Sequence, residues 1–202
     1  MCAVWFVLTA ASLPFDKRVA EAVHSLHIKP SIMNSFAVTS IKGMGTYWFT
    51  IAIAVAVAWR HRWQLRPAIF VLLTGLVALV GNLIKWISGR TRPFKLEPNT
   101  REAFPFTLRP FRGGWEGLFF QKNLAFPSGH TMVAFATATT LAILWPRWWL
   151  LFYAAAALVA AERVLENAHW LSDVVGAAGL AVCGVHLMWM MMSRSLRPIN
   201  HE

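Results

Sequence analysis

The sequence predicts an all-α fold: an integral membrane bundle of six transmembrane helices, the first one short, with an amphipathic interfacial segment and a long loop between helices three and four. Composition is the first reason. Of 202 residues, 57% are hydrophobic and 14% charged, and the mean hydropathy is +0.50. So little polar surface cannot cover a water-soluble globule, and lipid must solvate much of the chain. The second reason is that the apolar residues fall into separate runs closed by basic residues, as spans ending among headgroups do. Many cations lie in or beside those runs, so the net charge of +10 points to lipid headgroups or a phosphorylated substrate rather than nucleic acid. Cys2 and Cys183 lack motif spacing, and Cys183 falls inside an apolar run, which argues against a structural disulfide or a metal site.

Residues 1–13 are apolar but short for a crossing, and they lack the basic start of a signal peptide. A marginal first helix is expected rather than a cleaved leader. From 14 to 40 the chain is mixed. Asp16, Lys17 and Arg18 precede Val19, Ala22, Val23 and Leu26 at one-sided helical spacing, which suits a helix lying along the interface. The second span is read at 44–59, ended by Arg60, His61, Arg62 and Arg66. Pro67 opens the third, 67–87, because proline is tolerated in a first helical turn. Residues 88–127 then form a loop of about forty residues, rich in Arg, Pro, Gly and Phe; loops that long are usually functional. Span four is 128–145, closed by Pro146 and Arg147. Span five is 148–163, with small residues at 154–157 that allow close helix packing. Span six is 174–192, followed by a basic tail with Arg194 and Arg197. No repeat or soluble domain is evident, and 1–202 reads as one membrane-embedded domain.

If all six segments cross, the end of span three, the start of span four and the connection between five and six share one side. That side receives Lys85, Arg92, Ser128, Gly129, His130, Arg163, His169 and Asp173. The other side keeps only the short basic ends at 60–66, 146–147 and 194–201. Lys and Arg counts alone would turn the polar side towards the cytoplasm, but several of those cations have a chemical reason to be there, so the count leaves both orientations open.

The residue types suit phosphoryl transfer. Negative charge on the outer oxygens must be held in place, so catalysis is mostly positioning plus electrostatic stabilisation. Lys85, Arg92 and Arg163 offer three cations for one dianion, with Arg able to grip two oxygens at once. Lys85 and Arg92 are seven residues apart, roughly 10 Å if helical. Pro127-Ser128-Gly129-His130 stands where span four begins, with Ser128 as an N-cap, first-turn amides as an anion site, and Gly129 allowing close backbone approach. His130 is placed to give a proton to the departing alkoxide. His169 and Asp173 are four apart and would share a helix face, where the carboxylate fixes the imidazole tautomer. A neutral imidazole held so can attack phosphorus and form a phosphohistidine, which water then releases with His130 as base.

These residues resemble the type 2 phosphatidate phosphatase superfamily. Lys85, six intervening residues and Arg92-Pro93 match its first signature, Pro127-Ser128-Gly129-His130 its second, and Arg163, His169 and Asp173 in their spacing its third. With the six-span plan, the resemblance covers effectively the whole chain. It implies His169 as nucleophile, His130 as general acid, and Lys85, Arg92, Ser128, Gly129 and Arg163 as phosphate binders. It also implies chemistry without a metal or other cofactor and, in bacterial members, a site on the outer face of the inner membrane, hence periplasmic or extracellular. One departure stands out: Glu162 occupies the place where the family usually has Ser, and a carboxylate there repels phosphate unless it turns away or pairs with a cation.

Blander readings compete residue by residue. Lys85 alone suits a snorkelling span end, Arg163 and His169 suit interfacial anchors, Asp173 suits a helix-start acid and Ser128 a simple cap. Independent anchors have no reason to land at all these offsets, so the joint pattern favours a site. Elsewhere the bland reading holds. His24, His27, His61 and His201 suit the interface or solvent, His186 a neighbouring helix, and Met190 to Met192 packing or lipid. Glu166 is expected to pair with Arg163. In the loop, Phe94, Phe104, Phe106, Phe111, Trp115, Phe119, Phe120 and Phe126 alternate with Arg101, Arg109, Arg112 and Lys122, which suits a segment resting in headgroups and shaping substrate entry.

The expected activity is removal of a terminal phosphate from a membrane lipid: a polyprenyl diphosphate, phosphatidylglycerol phosphate, phosphatidate or a lipid A phosphate. The small size suits a bacterial enzyme, with a lean towards undecaprenyl diphosphate. Two rivals share the cations: a phosphotransferase passing the phosphoryl group to a second lipid, and a carrier of phosphorylated lipids in which His169 has no chemical purpose.

Overall fold

The computed structural model describes residues 2–60, 65–93, 110–111 and 123–195, with the side chains of 65–66 and 194–195 left aside. The described residues form nine α-helices: α1 (Cys2–Ser12), α2 (Asp16–Ser25), α3 (Pro30–Met33), α4 (Phe36–Gly43), α5 (Tyr47–Arg60), α6 (Leu65–Ser88), α7 (Gly129–Leu144), α8 (Trp149–Leu165) and α9 (Leu171–Ser195), with short 3-10 turns at Leu13–Phe15 and Pro146–Trp148.

 No strand is present among the described residues, and one isolated antiparallel bridge joins Thr91 to Leu124.

Among the described residues, three helices are long and apolar enough to cross a membrane: Pro67–Ser88 within α6, Pro146–Leu165 covering α8, and Leu171–Ser193 within α9. A fourth crossing is reached if α4 and α5, bent by 71° at their junction, count as one span; α7 is a shorter apolar helix. The spans read from sequence at 67–87, 128–145, 148–163 and 174–192 thus correspond to helices, and 44–59 to α5 behind its bend. The first, 1–13, corresponds to α1 and the turn after it.

Helix α7 is the hub, packing against α6, α8 and α9. Its residues from Thr131 to Leu141 are buried except the half-buried Phe135, and half of its sequence GHTMVAFATATTLAIL is Ala or Thr. Lipid tails are as apolar as leucine, so close van der Waals approach, rather than escape from water, must hold such helices together; small side chains permit it. Phe70, Met132, Ala136, Ala177, Ala181 and Val185 join α6, α7 and α9, while Ala134, Ala138, Ala156 and Val159 join α7 to α8. The Thr50 and Thr137 hydroxyls bond at 2.9 Å between α5 and α7, and Tyr153 donates to Thr139 Oγ1 at 3.0 Å between α8 and α7. Outward faces carry exposed Leu72, Leu76, Leu79 and Leu83 on α6 and Leu150, Leu151 and Leu158 on α8, as lipid contact requires. Trp148 and Trp149 are exposed where α8 begins, at the level expected of an aromatic belt.

The interfacial reading of 14–40 needs one correction. Helix α2 does present Lys17 and Glu21 outward as an i,i+4 pair at 3.7 Å, but its first residue, Asp16, is fully buried against α9. An acid without a cation cannot remain in such a place, and its partner comes from the end of α6.

Candidate active site

Helix α6 stops at Ser88 because Gly89 turns into the left-handed region (φ 59°), where a side chain would be strained. Lys85 and Arg92 are therefore not two turns apart on one helix, as the helical estimate assumed; they stand on either side of a turn. The chain segments that leave and re-enter the bundle here are tied together. Ala125 N donates to Arg90 O at 2.7 Å, Ser88 Oγ to Phe126 O at 2.7 Å, and Arg92 Nε to Leu124 O at 3.1 Å. Most of the aromatic and basic residues singled out between 94 and 122 lie outside the described residues; Phe111 packs edge-on against Trp86 with ring centroids 4.8 Å apart.

Lys85 is buried, and its Nζ lies 3.7 Å from where a Cβ on Gly129 would stand. The ammonium thus stands over the first turn of α7, with no side chain between it and the Gly129 backbone. Ser128 occupies the N-cap position but makes no side-chain cap bond; its Oγ accepts from Thr131 Oγ1 at 2.9 Å instead. Its backbone N donates to Asp173 O at 3.2 Å, which fastens the second signature to the third. His130 follows, in the electrostatic field of Arg163, Lys42, His169 and Lys85. Gly45, in the α4–α5 bend, lies against it: a Cβ there would stand 2.8 Å from His130 O and 2.9 Å from His130 Cβ.

His169 does not lie on a helix. It sits in the turn between α8 and α9, with Trp170 at the N-cap and Asp173 in the first turn of α9. Asp173 Oδ2 accepts the Trp170 backbone N–H at 2.9 Å, half of a capping box, and so performs the cap role considered for it. The same oxygen is 3.6 Å from His169 Nδ1, beyond hydrogen-bond range, although the pair faces each other as the signature required. Burial pushes the His169 imidazole down to about 4, against the opposing pull of Asp173, with Lys85 and Arg92 adding to the lowering. The ring is neutral at neutral pH, with a lone pair available.

Arg163, buried, is held by two carboxylates. Its Nε donates to Glu162 Oε2 at 2.5 Å, and its Nη2 pairs with both Glu162 Oε1 and Glu166 Oε2. The pairing expected with Glu166 is present, and Glu162 meets its charge by gripping the adjacent arginine. Glu166 also bonds Lys42 Nζ at 2.9 Å; burial raises its proton affinity, but Lys42 and Arg163 outweigh this and hold it below the usual carboxylate range. His186 bonds Val182 O of its own helix at 2.8 Å rather than a neighbouring one. His24 and His27 are exposed; His61 and His201 lie outside the described residues.

Lys85, Arg92, Ser128, Gly129, His130, Arg163, His169 and Asp173 thus come from four helix ends to one end of the bundle. Sequence reasoning missed Lys42, Asp16 and Arg90. Arg90 carried a signal, two residues before Arg92 in a basic cluster; Asp16 and Lys42 had none locally.

The profile of the PAP2 superfamily matches residues 65–197, which hold all three signatures. The chain belongs to the PAP2 superfamily. Among curated PAP2-like relatives, it is 34% identical over 133 residues to a lipid A 1-phosphatase of Rhizobium etli, covering 66% of this chain and 50% of that protein. It is 26% identical over 130 residues to an undecaprenyl-diphosphatase of Sulfolobus acidocaldarius, covering 63% and 55%. The chain therefore spans about half the length of the curated relatives it matches. The fold is similar to that of a transmembrane PAP2 type phosphatidylglycerolphosphate phosphatase from Bacillus subtilis, with TM-score 0.66 and 20% identity over 98% of this chain and 96% of that one.

Proposed function

We propose that this PAP2 protein hydrolyses a membrane lipid phosphate or diphosphate through a phosphohistidine on His169, without a metal. The observation that carries the proposal is the neutral, buried imidazole of His169 facing Asp173 on one side and lying in the field of Lys85 and Arg92. Nε2 attacks phosphorus as the ester oxygen leaves, and the imidazole acquires positive charge, which the Asp173 carboxylate stabilises. Lys85, Arg92, Arg163, Ser128 and the amides around Gly129 hold the outer oxygens. His130 protonates the departing oxygen and then takes a proton from the water that cleaves the phosphorus–nitrogen bond, releasing phosphate and restoring His169.

The likeness to a lipid A 1-phosphatase, an undecaprenyl-diphosphatase and a phosphatidylglycerolphosphate phosphatase supports a lipid substrate class: a lipid A phosphate, a polyprenyl diphosphate or a glycerophospholipid phosphate, with undecaprenyl diphosphate preferred. We further propose six crossings, α1 with its turn, α4–α5, α6, α7, α8 and α9, in a bacterial inner membrane with the site facing outward. The test is phosphate release across that lipid panel, with EDTA and with His169→Ala. Release that survives EDTA and disappears in His169→Ala is expected. Loss in EDTA, or full activity in the variant, would overturn the mechanism; a cysteine placed in the 166–168 turn should react with an impermeant thiol reagent from outside only.

A further inference from the structure

Arg90 is two residues from Arg92 yet points into a different environment. It is 2% exposed, and its contacts reach α2, the start of α9 and the turn before it. Nη1 donates to Asp173 Oδ1 at 2.5 Å and to Ser172 Oγ at 2.7 Å, and Nη2 donates to Asp16 Oδ2 at 2.6 Å. The guanidinium carbon lies 5.5 Å from the centroid of the Trp170 ring, whose Nε1 donates to Thr91 O at 2.8 Å. Asp16 completes the ring of contacts, taking Ser172 N at 2.8 Å and Ser172 Oγ at 2.5 Å.

The two oxygens of Asp173 therefore have separate duties. Oδ1 is held by Arg90, while Oδ2 takes the Trp170 amide and faces His169 Nδ1. With Oδ1 fastened to Arg90, the carboxylate cannot rotate away, and Oδ2 stays aimed at the imidazole it orients. Asp16 in turn balances the second face of the guanidinium and fastens it to α2.

We propose that Arg90, braced by Asp16, is a positioning residue for His169: it fixes the rotation of the Asp173 carboxylate, and so selects the imidazole tautomer that leaves Nε2 unprotonated. The role rests on the proposed nucleophile. The chain thereby has two arginines with divided work in one turn, Arg92 towards the phosphate site and Arg90 towards the carboxylate behind the nucleophile.

The test uses the full chain in lipid nanodiscs, comparing wild type with Arg90→Gln, Arg90→Lys and Asp173→Asn. Nitrogen-15 NMR of the imidazole signal that vanishes in His169→Ala reports the tautomer independently of activity. In Arg90→Gln the tautomer balance should shift, and kcat on whichever lipid phosphate the wild type turns over should fall about 10–100-fold with KM little changed, the range typical of groups that orient a reacting residue. Adding Arg90→Gln to Asp173→Asn should produce little further loss, because one acts through the other. Arg90→Lys keeps the charge but cannot fork between Asp16 and Asp173, and should be intermediate; it also serves if Arg90→Gln does not fold. An unchanged His169 tautomer in either folded variant, or losses that multiply in the double variant, would overturn the proposal. If the wild type releases no phosphate from any lipid, the hydrolase reading fails while the NMR arm still decides the part played by Arg90.

Discussion

At the scale of single residues, the site is a set of charges whose neighbours decide their roles. Glu162 illustrates this. Set against the family pattern it looks hostile to phosphate, yet in the fold it holds Arg163 together with Glu166. A phosphate must then compete with carboxylates for that guanidinium. Glu162→Ser should strengthen inhibition by inorganic phosphate about tenfold, equivalent to roughly 1.4 kcal/mol, as read from the inhibition constant; weaker inhibition would mean that Glu162 orients Arg163 rather than restrains it. His169 gives a pH expectation with a definite sign. Its ordinary value is 6.5 and burial lowers it to about 4 in the folded chain. Between those limits the unfolded chain binds a proton there that the folded chain does not, so stability contributed by this residue is intact above pH 6.5 and declines as pH falls towards 4. Thermal unfolding of wild type and His169→Gln across pH 4–7 should show a shallower acid decline in the variant.

At the scale of elements, signatures and spans were legible because chemistry and hydropathy are local properties. The Lys85–Arg92 spacing, the Pro127–His130 run and the 163–173 segment all fall at helix ends, where they were expected. What the sequence did not disclose was the turn geometry between them. The positive φ of Gly89 shows that Lys85 and Arg92 cannot share a helix. His169 was read onto a helix that starts two residues later, because an i,i+4 spacing is helical on paper and a capped turn satisfies it equally well. Ser128 was expected to cap with its side chain, yet Thr131 competes for that oxygen. Contacts of high sequence separation, such as Asp16 with Arg90 and Lys42 with Glu166, had no local signature at all. The α4–α5 bend offers an element-level test. Gly45→Ala places a methyl against the His130 backbone, where the neighbour is not a flexible side-chain tip. Overpacking of this kind costs about 1–3 kcal/mol, and the variant should lose thermal stability and kcat together; unchanged values for both would show that the bend yields freely.

At the scale of the whole molecule, a buried Ala- and Thr-rich helix, α7, lets α6, α8 and α9 approach closely enough for their ends to share one polar site, while leucine faces outward to lipid. The composition foretold the membrane and the long apolar runs foretold the crossings of α6, α8 and α9. It could not reveal that the N-terminal segment is a structural brace, since one buried aspartate among exposed charges looks like any interfacial acid. The direct measurement is to incubate the protein with a phosphorus-32-labelled lipid phosphate, quench in alkali, and map the labelled residue. A base-stable, acid-labile phosphoryl group on His169, absent from His169→Ala, is the expected result. Rapid lipid hydrolysis with no such label under single-turnover quench, or with the label on another residue, would contradict the proposed chemistry.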